Sequence, residues 1–97
     1  MRNAAEKLEF DNVTELSLKP GIINLGRAKD NDIELSDPDC AAHHAQIVTY
    51  FHQSFLIDLS RSSDTYLNGK AIIKHSLEPG DQIQIGQHIM KVVAPKY

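Results

Sequence analysis

Residues 65–93 run TYLNGKAIIKHSLEPGDQIQIGQHIMKVV, and the turns spaced along them decide the fold. Asn68-Gly69 stands between Tyr66-Leu67 and Lys70-Ala71-Ile72-Ile73. That pair suits the two positive-φ positions of a type I′ hairpin, so two strands meet there. Glu78-Pro79-Gly80-Asp81 places Pro where φ must be fixed and Gly where φ must be positive, as a type II turn requires. Gln82-Ile83-Gln84-Ile85 alternates with the period of a half-buried strand. Gly86-Gln87 then supplies a two-residue type II′ turn into the strand from His88 to Val93, a register in which Ile83 faces Met90.

The same punctuation extends upstream. Lys19-Pro20-Gly21 is a second type II signal, and short apolar stretches recur at roughly ten-residue intervals between Gly, Pro, Asn and Asp. Strands are expected at Leu8 to Phe10, Thr14 to Leu18, Ile22 to Leu25, Asp32 to Leu35, His44 to Phe51 and Ser54 to Leu59, making about ten in all. Residues 40–45 have better helix than strand propensity. They are too few to form a stable helix alone, so they read as a loop entering a strand. Tyr50-Phe51, Phe55, Tyr66 and Tyr97 are expected in the core and on strand faces, and Lys70, Lys74, His75 and Glu78 on a solvated rim at a hairpin end.

Composition narrows the class. The chain has 97 residues, which fit one domain, and Leu, Ile, Val and Phe supply 26 of them, enough to build a core. The expected core is 8–93, with looser ends at 1–6 and 94–97. A formal charge of -3, with acidic and basic residues evenly mixed, gives no basic stripe for a phosphate backbone. No apolar run approaches the roughly 18 residues of a membrane span, and residues 1–7 lack the apolar segment of a signal peptide. The expectation is a cytoplasmic domain that binds neither nucleic acid nor membrane. Cys40 is alone, and His43 and His44 are adjacent, so no spacing suggests a metal site or any other cofactor.

Taken in order, Gly26-Arg27, residues 31–35, Asp37-Pro38, residues 44–47, residues 55–59, residues 65–69 and residues 77–86 closely resemble the forkhead-associated (FHA) domain. The resemblance covers residues 22–93. It implies an all-β, FHA-like (SMAD/FHA) sandwich of about 10–11 short, mostly antiparallel strands. It also implies a protein-protein interaction module for signalling or regulation, whose loops at one end read phosphothreonine in a partner protein.

By that resemblance Arg27 is the phosphate-binding arginine, suited to hold phosphate oxygens bidentately. The alternative is an internal ion pair with Asp30 or Asp32. The family's Ser-Arg-x-His falls on Ala41-Ala42-His43-His44, so the phosphate-binding serine is missing, while His44 matches a histidine that fixes the loops. The third loop falls on residues 60–65. There Ser62 keeps a hydroxyl, Ser63 replaces an asparagine that holds peptide backbone, and Asp64 replaces a glycine. Arg61 and Ser63 are further candidate donors to the phosphopeptide. Gly26, Asn68 and Gly69 join His44 as supports of the loops.

Losing two donors to a charged ligand removes about 3 kcal/mol or more, which is on the order of a hundredfold in affinity. Two readings therefore stand side by side: a phosphothreonine reader with a reworked pocket, or a phosphorylation-independent docking or oligomerisation module. An enzyme is not expected. Asp58, Ser60 and His44 supply the residue types of a triad, yet no nucleophile motif surrounds Ser60.

Overall fold

The computed structural model describes residues 13–62 and 64–93. Ten strands occupy them: β1 (Val13–Ser17), β2 (Gly21–Gly26), β3 (Ile33–Glu34), β4 (Ala45–Tyr50), β5 (Gln53–Asp58), β6 (Thr65–Leu67), β7 (Lys70–Ala71), β8 (Lys74–Leu77), β9 (Gln82–Ile85) and β10 (His88–Val93). They form two five-stranded sheets, ordered β1-β10-β9-β6-β7 and β3-β2-β4-β5-β8. Residues 40–44 are loop, as expected. The strand expected at Leu8 to Phe10 and both chain ends lie outside the described residues. Among the described residues no helix is long and apolar enough to cross a membrane.

Six of the eight pairings are antiparallel, and three of these are hairpins, whose register the turn chemistry dictates. Asn68 and Gly69 have φ of 51° and 87°, both positive as a type I′ turn requires, and join Leu67 to its partner Lys70. Gly86 has φ of 59° between Ile85 and His88, which pair, and Met90 lies opposite Ile83 as the register predicts. Gly80 has φ of 96°, and Asp81 N–H closes the turn on the Glu78 carbonyl at 3.1 Å. Two pairings are parallel, β1 with β10 and β2 with β3. Neither comes from a local turn, so no dipeptide announces them.

Period-two alternation decides the core. Ile23 and Leu25 of β2, Ala45 and Ile47 of β4, and Leu56 of β5 face Ile83, Ile85, Met90 and Val92 of the other sheet, all buried. Leu35 and Cys40 close the loop end of this core.

Two expectations need correction. Among the described residues the aromatics lie on strands and a hairpin tip but not in the core, which is aliphatic: Tyr50 is 69 % exposed and Phe51 79 %, because they cap the β4–β5 hairpin. Lys74 and His75 are solvent-exposed as expected, but they belong to β8, paired with Ile57 and Leu56 of β5, rather than to a hairpin end. Three of the four β8 residues are exposed and polar, the pattern of an edge strand, which periodicity alone does not reveal.

Candidate functional site

Strand directions gather three loops at one end of the sandwich. Residues 27–32 follow β2, residues 35–44 precede β4, and residues 59–64 follow β5. Leu25 pairs with Ala45, and Ala45 with Asp58, so the three loops leave the second sheet side by side. The Leu59 N–H donates to the His44 carbonyl at 2.8 Å, which fixes the third loop against the second.

The first two loops are joined by their backbones. Arg27 N–H donates to Ala41 O at 2.9 Å and Ala28 N–H to Ala42 O at 3.1 Å. Asn31 adds a side-chain brace, its Nδ2 donating to Ala28 O at 2.7 Å and to Ala42 O at 2.8 Å. Gly26 makes the approach possible: a Cβ built there would overlap the Ala42 carbonyl oxygen and crowd Asn31 Nδ2. His44 is buried, and its Nδ1 accepts from Ala41 N–H at 3.0 Å. Its proton therefore sits on Nε2, which has no hydrogen-bond partner among the described residues.

Arg27 itself is exposed. Its Nε–H donates to the Cys40 carbonyl at 3.1 Å, which orients the guanidinium, and neither terminal nitrogen has a hydrogen-bond partner among the described residues. No carboxylate among the described residues pairs with it. Asp30 is joined to His43 Nε2 at 3.2 Å, and Asp32 accepts from Asn24 N–H at 2.8 Å. The two acids offered as internal partners of Arg27 are thus engaged elsewhere.

The third loop is organised by one carboxylate. Asp58 Oδ1 accepts from Ser60 N–H at 3.0 Å, from Ser60 Oγ–H at 2.6 Å and from Thr65 Oγ1–H at 3.0 Å. Ser62 continues the chain, its hydroxyl donating to Ser60 Oγ at 3.0 Å. Burial would raise the Asp58 carboxyl, but the donors from Ser60 and Thr65 outweigh it and hold it below the ordinary value. Arg61 is exposed, with φ of 64° in the left-handed region. Ser63 lies outside the described residues. No hydrogen bond joins Ser60 to His44 among them, so the residue types of a triad are present without its geometry.

Asp37 plays a similar part beside the 86–87 turn. Its carboxylate accepts from Asp39 N–H at 2.9 Å and Gln87 N–H at 3.0 Å, bonds that lower its pKa in that order. Burial pushes the Cys40 thiol up, with Asp37 and Asp39 adding to it, and leaves it a protonated filler of the core.

Asn68 and Gly69 support turns at the other end of β6. Asn68 Nδ2 donates to Asp81 at 3.1 Å and its Oδ1 accepts from Gln82 N–H at 2.9 Å. Asn31 and Asp58, which do hold the loops at the Arg27 end, were visible in the sequence only as motif spacing and a strand end.

Rigid loops on a two-sheet scaffold, with a cation presented at their tip, define a recognition module. The sequence profile of the FHA domain matches residues 23–86, and this chain belongs to that family. It is 33 % identical over 69 residues to the ABC transporter ATP-binding/permease protein Rv1747 of Mycobacterium tuberculosis, a match covering 71 % of this chain and 8 % of the transporter. Among solved structures, Mycobacterium tuberculosis EmbR in complex with a low affinity phosphopeptide is similar at a TM-score of 0.73 and 29 % identity, over 82 % of this chain and 22 % of EmbR. An FHA domain solved for phosphothreonine-dependent interactions has a TM-score of 0.72 at 26 % identity, covering 81 % of this chain and 83 % of that one.

Proposed function

We propose that this domain is a protein-protein interaction module without catalytic activity, which docks threonine-phosphorylated protein segments on its loop face in a cytoplasmic signalling or regulatory step. The observation that carries the reading is Arg27, exposed, oriented by the Cys40 carbonyl and outside every ion pair among the described residues. A phosphothreonine brings about -1.5 to -2 charge and three acceptor oxygens, for which two uncommitted guanidinium nitrogens are a fitting partner. Ser62 and Arg61 stand on the neighbouring loop as further donors, and Ser63 follows them in sequence. The relatives solved with a phosphopeptide or for phosphothreonine dependence support this reading over phosphorylation-independent docking. Ala41 and Ser63 in place of the family's serine and asparagine place the affinity lower, roughly a hundredfold below that of an intact pocket.

The test is calorimetric titration with matched phosphorylated and unphosphorylated threonine peptides, on the native domain and on Arg27→Ala. Phosphorylation-dependent binding that weakens at least about a hundredfold in the variant is expected. Equal affinity for the two forms of every peptide would refute the reading.

A further inference from the structure

Beside the phosphate-facing loops, on the β2–β4 side, lies an open groove of about 330 Å³ lined by Asn24, Asp30, Asn31, His43, Gln46 and Leu59. Asn24 and Gln46 are opposite one another on β2 and β4 and form its floor. Asp30 and Asn31 come from the first loop, His43 from the second, and Leu59 opens the third. Arg27 stands on the first of these loops, three residues before Asp30.

Its hydrogen-bonding capacity is lopsided. Gln46 Nε2 donates to Asn24 Oδ1 at 2.9 Å, and Asn24 N–H is given to Asp32 at 2.8 Å. Asn31 Nδ2 commits both hydrogens to backbone carbonyls, at 2.7 and 2.8 Å. Asn24 Oδ1 is used by Gln46, and two amide oxygens of the lining are left without a donor among the described residues. Asn31 Oδ1 is enclosed without a partner, and Gln46 Oε1 accepts from none of the described residues. Asp30, with a side chain 72 % exposed, has His43 Nε2 as its one side-chain partner among them. No lysine or arginine lines the groove.

A site rich in acceptors, with one carboxylate and an apolar wall at Leu59, asks for a ligand of the opposite character. A phosphate or carboxylate would meet Asp30 as a like charge. A long basic side chain meets every requirement: its stem covers Leu59, and its N–H groups reach Asp30 and the amide oxygen of Gln46. A carboxylate has about four lone-pair positions, so Asp30 can accept a guanidinium while keeping His43. Two acceptors on different elements, Asp30 and Gln46, favour the five fixed donors of arginine over the three of lysine.

We infer that this groove is a second subsite for the bound segment, taking a basic side chain, arginine before lysine, that flanks the phosphothreonine. The inference rests on the function proposed above. It makes the preferred partner a segment carrying both a phosphate and a nearby positive charge, with Arg27 and Asp30 reading the two ends of that pattern.

The experiment uses the native domain and a set of fluorescent phosphothreonine peptides in which each flanking position carries Arg, Lys, Ala or Glu in turn. At one position affinity is expected to fall in the order Arg, Lys, Ala, Glu, with Arg over Ala by about three- to tenfold. In Asp30→Asn the Arg, Lys and Ala peptides then bind alike. Glu34→Gln, an exposed acid on β3 outside the groove, keeps the full preference. Phosphorylation-dependent binding without a basic preference, or a preference that survives Asp30→Asn, overturns the subsite and leaves the function standing. Peptides that bind with no dependence on phosphorylation overturn both.

Discussion

The two ends of this sandwich are built on different principles. At one end, the turns at residues 19–21, 51–52, 68–69 and 78–81 are each set by positive φ at residues within the turn, with Asn68 also bridging to Asp81 and Gln82. At the other, three loops are held by bonds across it: Asn31 to Ala42, Asp37 to Gln87, Asp58 to Thr65. Local turns fix register and need only the correct dihedral angles. Loops held by distant partners keep a defined shape while leaving side chains such as Arg27 unoccupied, and a binding face needs that combination.

Glycine substitutions give the sharpest contrast between the ends. Gly26→Ala drives a methyl group into the Ala42 carbonyl and forces the first two loops apart. Overpacking against backbone costs about 1–3 kcal/mol, and denaturant unfolding is expected to report the upper end of that range, with peptide binding lost as well. Gly69→Ala meets no atom within 4 Å and suffers only from its φ of 87°. Its cost is about 1 kcal/mol, with binding unchanged. Equal effects on binding from the two variants would erase the distinction.

Removing the anchor of the third loop comes next. Asp58→Asn leaves a weaker acceptor for three donors and is expected to lose about 1–3 kcal/mol of stability, measured by chemical denaturation. Acid probes the same bonds without mutation. Asp37 and Asp58 both have folded pKa values below their unfolded ones, so their contribution is complete above about pH 4 and disappears as pH falls through the folded values. Amide resonances of Ser60 and Gln87 should therefore shift at lower pH than those of an ordinary exposed aspartate, ahead of any change in the 68–69 hairpin. Simultaneous loss of both ends would show that the anchors are not local to the loops.

A stabilising change belongs to the opposite end. Phe51 and His52 have φ of 50° and 66° in the β4–β5 hairpin, left-handed conformations that strain Phe51 most and suit Asn and Gly better than either residue. Replacing the pair with Asn-Gly is expected to stabilise the fold by about 1 kcal/mol, raising Tm by roughly 4–8 °C, without altering peptide affinity. A change in affinity would mean that the ends communicate.

The smallest effect is expected at Ser62. Ser62→Ala removes a hydroxyl already committed to Ser60, so a drop in phosphopeptide affinity of no more than about fivefold is anticipated by titration. A loss as large as that of Arg27→Ala would contradict the bond assignment.

This division also governs what the sequence discloses. Asn68-Gly69, Pro79-Gly80 and Gly86-Gln87 announce their turns because the dihedral requirement falls on the residues themselves. Arg27 and His44 were found through the order and spacing of motifs, and both stand at the loop end as that order implies. The brace from Asn31 and the anchoring by Asp58 are long-range or depend on a turn geometry that no dipeptide encodes. The groove that joins Asn24 to His43 and Leu59 needed the pairing of β2 with β4 before its residues became neighbours. Exposure of Tyr50 and Phe51 was missed because aromatic content says what favours strands without saying which side of a strand end meets water.

The relay from Ser62 through Ser60 to Asp58 has a kinetic corollary. Because the aspartate takes the hydrogen of Ser60, and Ser60 in turn takes that of Ser62, the outer oxygen shows lone pairs to an arriving anion. Engagement requires that hydroxyl to swivel, breaking one link as another forms. That rotation is far faster than diffusional encounter, so it lowers affinity without slowing capture by the arginine, and association traces should stay single-phase.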